Sequence, residues 1–111
     1  MCVFCDIVAD KIPAQKVYED ENYLAFKDIN PKAPVHILII PKKHIEYLSD
    51  IDDSNKDMVA DMAVIANKIA KELNIDKSGY RIVINNGPDS GQEVFHLHMH
   101  LLGGKRMSFT T

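Results

Sequence analysis

The run Val94-Phe95-His96-Leu97-His98-Met99-His100-Leu101-Leu102 alternates between two classes of side chain and stops at Gly103-Gly104. Successive side chains on a β-strand point to opposite faces, so the spacing predicts a strand with three imidazoles on one face. Phe95, Leu97, Met99 and Leu101 project from the other, which makes one face chemical and one face core. Five histidines scattered over 111 residues would give His-x-His-x-His only about 0.01 times, so the cluster is not a compositional accident. Working towards the N-terminus, Tyr80 to Asn85 reads as another strand, and Asn86-Gly87-Pro88-Asp89-Ser90-Gly91-Gln92 is a turn-rich loop. Before it the period changes: Met58, Met62, Ile65, Ile69 and Leu73 fall at helical spacing, with Val59 and Ala66 widening the stripe. Ser54 followed by Asp57 resembles a capping box, and Asn74 or Gly79 can end this one long helix. Val35 to Ile40, β-branched and stopped by Pro41, reads as a central strand. Asn30-Pro31-Lys32-Ala33-Pro34 is a proline-punctuated loop. Val17-Tyr18-Glu19 and Tyr23 to Asp28 form a hairpin across Asp20-Glu21-Asn22. Phe4 to Ile12 is a short amphipathic turn or helix ended by Pro13. The expectation is an α+β fold over residues 1–111, a single domain in which a mostly antiparallel five-stranded sheet packs on one long helix, with a short N-terminal helix.

Composition narrows the function. Thirteen Lys and Arg against sixteen Asp and Glu leave a net charge of −3, which offers no broad cationic field for a nucleic acid backbone. Ile37 to Ile40, the longest apolar run, is far too short to cross a membrane. Met1 to Asp6 carries no basic region of a secretory signal, so the expected compartment is the cytoplasm. The two cysteines, Cys2 and Cys5, have C-x-x-C spacing but no preceding strand to support a thioredoxin-like redox motif. A disulfide is disfavoured in a reducing compartment, which leaves half of a zinc site or two small buried side chains.

The two remaining histidines, His36 and His44, sit within and just after the central strand. If that strand pairs with the last one, His36 faces the triad. Ligands at i, i+2 and i+4 of a strand span about 13 Å between the outer pair, at roughly 3.3 Å per residue. One tetrahedral zinc with bonds near 2 Å therefore takes at most two neighbouring ones, which frees His98 for other work.

His96-Leu97-His98-Met99-His100-Leu101-Leu102 resembles the signature of the histidine triad nucleotide hydrolases and transferases, in which three histidines alternate with apolar residues. The resemblance extends over Phe26-Lys27-Asp28-Ile29-Asn30-Pro31, Ala33 to His44, Asn85-Asn86-Gly87 and Gly91-Gln92. It is strongest to the Hint-like branch, small homodimers acting on purine nucleoside phosphoramidates and related nucleotides. The resemblance implies that His98 attacks the α-phosphorus and forms a nucleotidyl-histidine that water hydrolyses. A backbone carbonyl in the triad segment holds its far nitrogen. It implies that His100 and His36 contact the phosphate or orient the nucleophile, and that Asp28 accepts both ribose hydroxyls. Asn85 and the backbone amides around Gly91, Gln92 and Glu93 match the phosphate-contacting region, while Phe4, Ile7, Ile12, Phe26, Ile29 and Leu38 match an apolar slot for the base. Some members bind structural zinc through an N-terminal C-x-x-C, a histidine after the Pro-Lys-Lys run and the first triad histidine, which here are Cys2, Cys5, His44 and His96. No organic cofactor is implied.

Two positions depart from the branch. Its animal members usually carry a serine where Glu93 stands, and a glutamate repels phosphate unless it is protonated or turned away, which puts the family's proton delivery at issue. Phe109, in the tail Met107 to Thr111, stands where members can carry a tryptophan reaching the partner subunit, so leaving-group preference is expected to differ. The expected homodimer would form through the helix of Met58 to Leu73. Other readings are a dinucleoside polyphosphate hydrolase of the fragile-histidine type and a nucleotide-binding adaptor with incidental hydrolysis.

Overall fold

Aliphatic and β-branched residues fill Val35–Pro41 (β3), and this strand lies in the middle of a five-stranded sheet, as unbroken apolarity requires of a strand covered on both faces. A computed structural model of the chain describes residues 2–109. Around β3 run β1 (Lys16–Glu19), β2 (Tyr23–Lys27), β4 (Tyr80–Val83) and β5 (Met99–Gly103), in the order β1-β2-β3-β5-β4. Every neighbouring pair is antiparallel. Two helices, α1 (Val3–Val8) and α2 (Asp57–Glu72), complete the expected α+β architecture.

The pleat of β3 divides the interior in two. Ile37 and Ile39 point to the α2 side, where they pack with Ala25, Leu97, Met99 and Leu101 against Met62, Ile65, Ala66 and Ile69. Leu38 and Ile40 point to the opposite face and pack with Leu24 and Phe26 against Phe4 and Ile7 of α1. Each fully buried side chain of this size contributes roughly 1.5–3 kcal/mol. The two-residue period thus places His36 on the α1 face of β3, away from the long helix.

Several boundaries differ from the sequence expectation, each for an identifiable reason. The last strand begins at Met99 rather than Val94, because Pro41 has no N–H to continue the β3 ladder and the Leu97 amide donates instead to the Ile45 carbonyl at 2.6 Å. Phe95 is consequently not a core residue: it is 38% exposed and its ring meets Tyr47 edge-on. The long helix starts at Asp57 with Lys56, not Ser54, at its N-cap, and the Ser54 amide and hydroxyl instead donate back to Asp52 at 2.8 and 2.5 Å. Leu73 falls past the helix end and is half-exposed, while Ile75 takes the core position that the stripe assigned to it. Asn74, at φ +60°, provides the expected helix stop. The first helix ends at Val8, where Asp10 turns left-handed at φ +59° and the Lys11 and Ile12 amides both donate to the Asp6 carbonyl.

Most of the apolar stripe of α2 packs on the chain's own sheet through Met62, Ile65, Ala66 and Ile69, while Leu73 stays 37% exposed. Val64 on α2 and Ile82 on β4, 52% and 38% exposed, are further apolar side chains open to solvent. Gly104 sits at φ +90°, and a Cβ there would lie 2.9 Å from Pro34 Cβ, so the turn after β5 requires glycine. Arg81 donates to the Ser108 carbonyl at 2.7 Å and Phe109 is 96% exposed, while Thr110 and Thr111 lie outside the described residues. Among the described residues no helix is long and apolar enough to cross a membrane.

Candidate functional site

The register of β3 on β5 sets His36 opposite Leu102 and His100 opposite Leu38, so the two histidines are diagonal neighbours on the α1 face. Their rings meet with His36 Nε2 2.9 Å from His100 Nδ1. The protons can be assigned by accounting. The Lys32 amide donates to His36 Nδ1 at 3.0 Å, so the His36 proton is on Nε2 and is donated to His100 Nδ1. His100 therefore carries its own proton on Nε2. Asp28, at the end of β2, places Oδ2 3.4 Å from His36 Nε2 while its Oδ1 accepts the Asn30 amide at 2.8 Å. His36 is buried, and Asp28 is mostly so.

His98 is fixed in the same way. Its Nδ1 donates to the His96 carbonyl at 2.7 Å, which leaves a lone pair on Nε2. The ring is 7% exposed, and edge-to-face contacts with Phe4 at 5.2 Å and His100 at 5.0 Å hold it. Burial pushes His36, His98 and His100 below the ordinary imidazole range, His100 furthest, to about 4, with its neighbours His98 and His36 adding to the effect. The Asp28 carboxylate opposes the shift at all three. Three neutral imidazoles with assigned tautomers result, one of them offering a nucleophilic nitrogen.

The first triad histidine belongs to a different cluster. His96 is wholly buried and donates Nε2–H to the Pro41 carbonyl at 2.7 Å, so its Nδ1 lone pair faces Cys2 and Cys5, with Sγ atoms at 3.3 and 3.6 Å. His44 Nδ1 lies 3.2 Å from His96 Nδ1 and 3.3 Å from Cys5 Sγ. The edges of a zinc tetrahedron with bonds of about 2.05 Å to nitrogen and 2.3 Å to sulfur are about 3.3 Å for N–N and about 3.6 Å for N–S. Two cysteines and two histidines at these separations fit a structural zinc, and the Pro41 carbonyl supplies the outer hydrogen bond that fixes the ligating tautomer of His96. Asp28, His36 and His100 also come within 4.8 Å of one another. There, however, His36 Nε2 holds the proton it donates, because Nδ1 accepts from Lys32, and a metal on that nitrogen would require an imidazolate.

The slot residues divide. Phe4, Ile7, Phe26 and Leu38 form one buried apolar cluster, whereas Ile12 is half-exposed and Ile29 is 91% exposed. Asn85 is half-buried in the segment after β4. The amides expected to face a phosphate are partly engaged: Gly91 donates to the Pro88 carbonyl at 3.0 Å and Gln92 to the Gly87 carbonyl at 3.3 Å, so both close the loop's own turn. Among the described residues the Glu93 amide enters no hydrogen bond. The Gln92 side chain is buried, accepting from the Gly87 amide and donating to the Glu46 and Val94 carbonyls. It anchors the loop, a role its polarity alone did not indicate. Glu93 is exposed and lines a hollow with Cys2, Val3, His44 and Phe95. The backbone groups of Lys32, Pro41 and His96 that set the tautomers have no side-chain signal, because only tertiary pairing brings them to the imidazoles.

A family model described as HIT domain matches residues 9–107, which begins after both cysteines. An uncharacterised HIT-like protein of Buchnera aphidicola subsp. Acyrthosiphon pisum is 52% identical over 105 residues, covering 95% of this chain and 92% of its own length. A HIT family hydrolase from Legionella pneumophila Philadelphia 1 superposes with a TM-score of 0.96 at 47% identity, covering 98% of this chain and 97% of its own. A zinc-bound histidine triad family protein from Mycobacterium smegmatis superposes with a TM-score of 0.82 at 41% identity, covering 97% and 80%.

Proposed function

The chain belongs to the HIT domain family, and from that premise we propose that it is a nucleotide hydrolase or transferase of the Hint-like branch, cleaving the α-phosphate bond of purine nucleoside monophosphate derivatives such as phosphoramidates. The observation that carries this reading is the 2.7 Å bond from His98 Nδ1 to the His96 carbonyl, which leaves Nε2 as the nucleophile. Attack forms a bond from Nε2 to the α-phosphorus and expels the leaving group with its bonding electrons. The imidazole becomes cationic, and the His96 carbonyl stabilises that charge through Nδ1–H. Water then attacks phosphorus and the His98–phosphorus bond breaks with its electrons returning to Nε2, and over the two steps the proton that water loses replaces the one taken up by the departing amine. His100, whose Nδ1 is filled by His36, offers Nε2–H to the negative phosphoryl oxygens. Asp28 has Oδ2 available for ribose hydroxyls. The buried cluster of Phe4, Ile7, Phe26 and Leu38 supports an apolar base slot, whereas Ile12 and Ile29 are exposed and are not among the residues packed on it.

Cys2, Cys5, His44 and His96 are the residues that would hold a structural zinc, whose contribution is to tie α1 to the sheet. A homodimer completes the reading. The exposed Val64 and Ile82 and the unpaired edge of β4 support it, and light scattering giving a monomer mass at micromolar concentration would reject it. The deciding experiment compares kcat/KM for AMP-amine conjugates and diadenosine polyphosphates, and traps labelled nucleotide on the wild-type chain. The expected result is preference for the amine conjugates and label on His98; label on another residue, or saturable binding without turnover, refutes the assignment.

A further inference from the structure

We infer that Cys2 and Cys5 are an oxidation site, a dithiol that a hydroperoxide converts to a disulfide so that the tether of α1 to His44 and His96 is undone. The effect on nucleotide affinity rests on the function proposed above; the oxidation chemistry does not.

Both sulfur atoms belong to one cluster in which all ligand atoms lie within 4.8 Å of one another, and the Cys5 amide donates to Cys2 Sγ at 3.3 Å. Cys2 is the residue before the helix, with an extended backbone at φ −108°, ψ 119°. Its carbonyl accepts from the Asp6 amide at 3.0 Å and stays in the first turn, but its non-helical φ and ψ leave the side chain outside the helical array, and the sulfurs can close to the roughly 2.05 Å of a disulfide without unwinding α1. Both cysteines are only half-buried and His44 is exposed, so the cluster is open to a small oxidant on one side although His96 closes the other. The step balances as two thiolates, one hydrogen peroxide and two protons giving one disulfide and two waters. The sulfurs lose two electrons, and the peroxide oxygen–oxygen bond receives them. With both sulfurs oxidised, only the two imidazoles remain of the four donors, and the pair no longer holds a tetrahedral ion.

The consequence for the rest of the molecule runs through Phe4, which lies between the two cysteines on α1 and touches His98, Phe26 and His96 with ring centroids 5.2, 5.5 and 5.9 Å away. A movement of α1 therefore uncovers one side of His98 and opens the apolar cluster that Phe4 closes.

The test uses the full chain loaded with zinc and titrated with hydrogen peroxide. Released zinc is read by a metallochromic dye, the disulfide by a 2 Da mass loss in the peptide spanning Cys2 and Cys5, and AMP affinity by calorimetry before oxidation, after it, and after reduction with fresh zinc. The expected outcome is one zinc released per disulfide, a tenfold or greater rise in the Kd for AMP, and restoration on reduction. Zinc retained while peroxide is consumed, or sulfinic acids without the 2 Da product, overturns the oxidation site. Zinc release with an unchanged Kd overturns the coupling through Phe4. Failure of the reduced, zinc-loaded chain to bind AMP refutes the nucleotide reading instead, and the dye and mass readouts still judge the dithiol.

Discussion

Removing zinc with a chelator is expected to release α1 while leaving the sheet folded. Ordering the six residues of α1 costs roughly 6–12 kcal/mol at about 1–2 kcal/mol per residue. Burial of Phe4 and Ile7, the two buried side chains of α1, returns roughly 3–6 kcal/mol. The shortfall is roughly 0–9 kcal/mol, centred near 4.5, and a helix of this length does not stand alone in water. A zinc ion held at 100 to 1,000 times its dissociation constant contributes about 2.7–4.1 kcal/mol, enough to close most of that gap. The assay is hydrogen exchange with and without chelator, on protein whose zinc content is known from elemental analysis. Amides of residues 5–9 are expected to lose protection, while those of Ala25 and Ile39, fully buried in β2 and β3, keep it. Nucleotide affinity should weaken in parallel, since Phe4 leaves His98. Undiminished protection of residues 5–9 after verified zinc removal would refute the reasoning, as would zinc-free protein with a fully protected α1.

Three further outcomes are expected. Asp28→Ala should raise KM for ribonucleotides roughly 10- to 100-fold, the loss of one or two charge-assisted hydrogen bonds, and shrink the preference over 2′-deoxy analogues; an unchanged ribose preference removes Asp28 from the site. His36 and His100 are both held below their unfolded pKa, His100 at about 4, so the unfolded chain binds more protons between roughly pH 6.5 and 4. Stability is then fully present above about pH 7 and is lost as pH falls through that window, which urea midpoints at successive pH values would register; a slope no shallower in the His36→Gln/His100→Gln variant would exclude these two groups as its source. Gly104→Ala should cost about 2 kcal/mol and lower Tm by roughly 8–12 °C, because strain at φ +90° adds to the 2.9 Å approach of Pro34; Gly91→Ala, with nothing near its Cβ, should cost less, and equal thermal shifts would contradict the packing argument.

Periodicity identified the triad strand and α2, because a half-buried strand or helix must repeat its apolar side chains at 2 or 3.6 residues to bury one face, while β3 was legible from its unbroken apolarity and the hairpin and α1 from the turn and proline signals around them. The boundaries that moved are those where a local signal met a competing partner. Ser54 turns back to Asp52 and the cap position falls to Lys56, and the residues before Met99 left the ladder because Pro41 has no amide to pair with them. The candidate chemistry was legible in part: His-x-His-x-His and the C-x-x-C pair stand out as residue types at rare spacing, whereas Asp28 was marked only by the resemblance. Gln92 was not legible in its observed role, since a buried amide side chain that anchors a loop looks in sequence like any other polar loop residue.

By itself the sequence determined which side chains exist to do chemistry and that the three triad imidazoles share one face of a strand. Only the tertiary structure decided how the triad is divided, with His96 turned to Cys2, Cys5 and His44, His100 joined to His36, and His98 left with an unshared nitrogen. The reason is that a tautomer is set by the partner of the far nitrogen. Those partners, the Pro41 and His96 carbonyls and the Lys32 amide, are backbone groups that every sequence carries and only this fold aims.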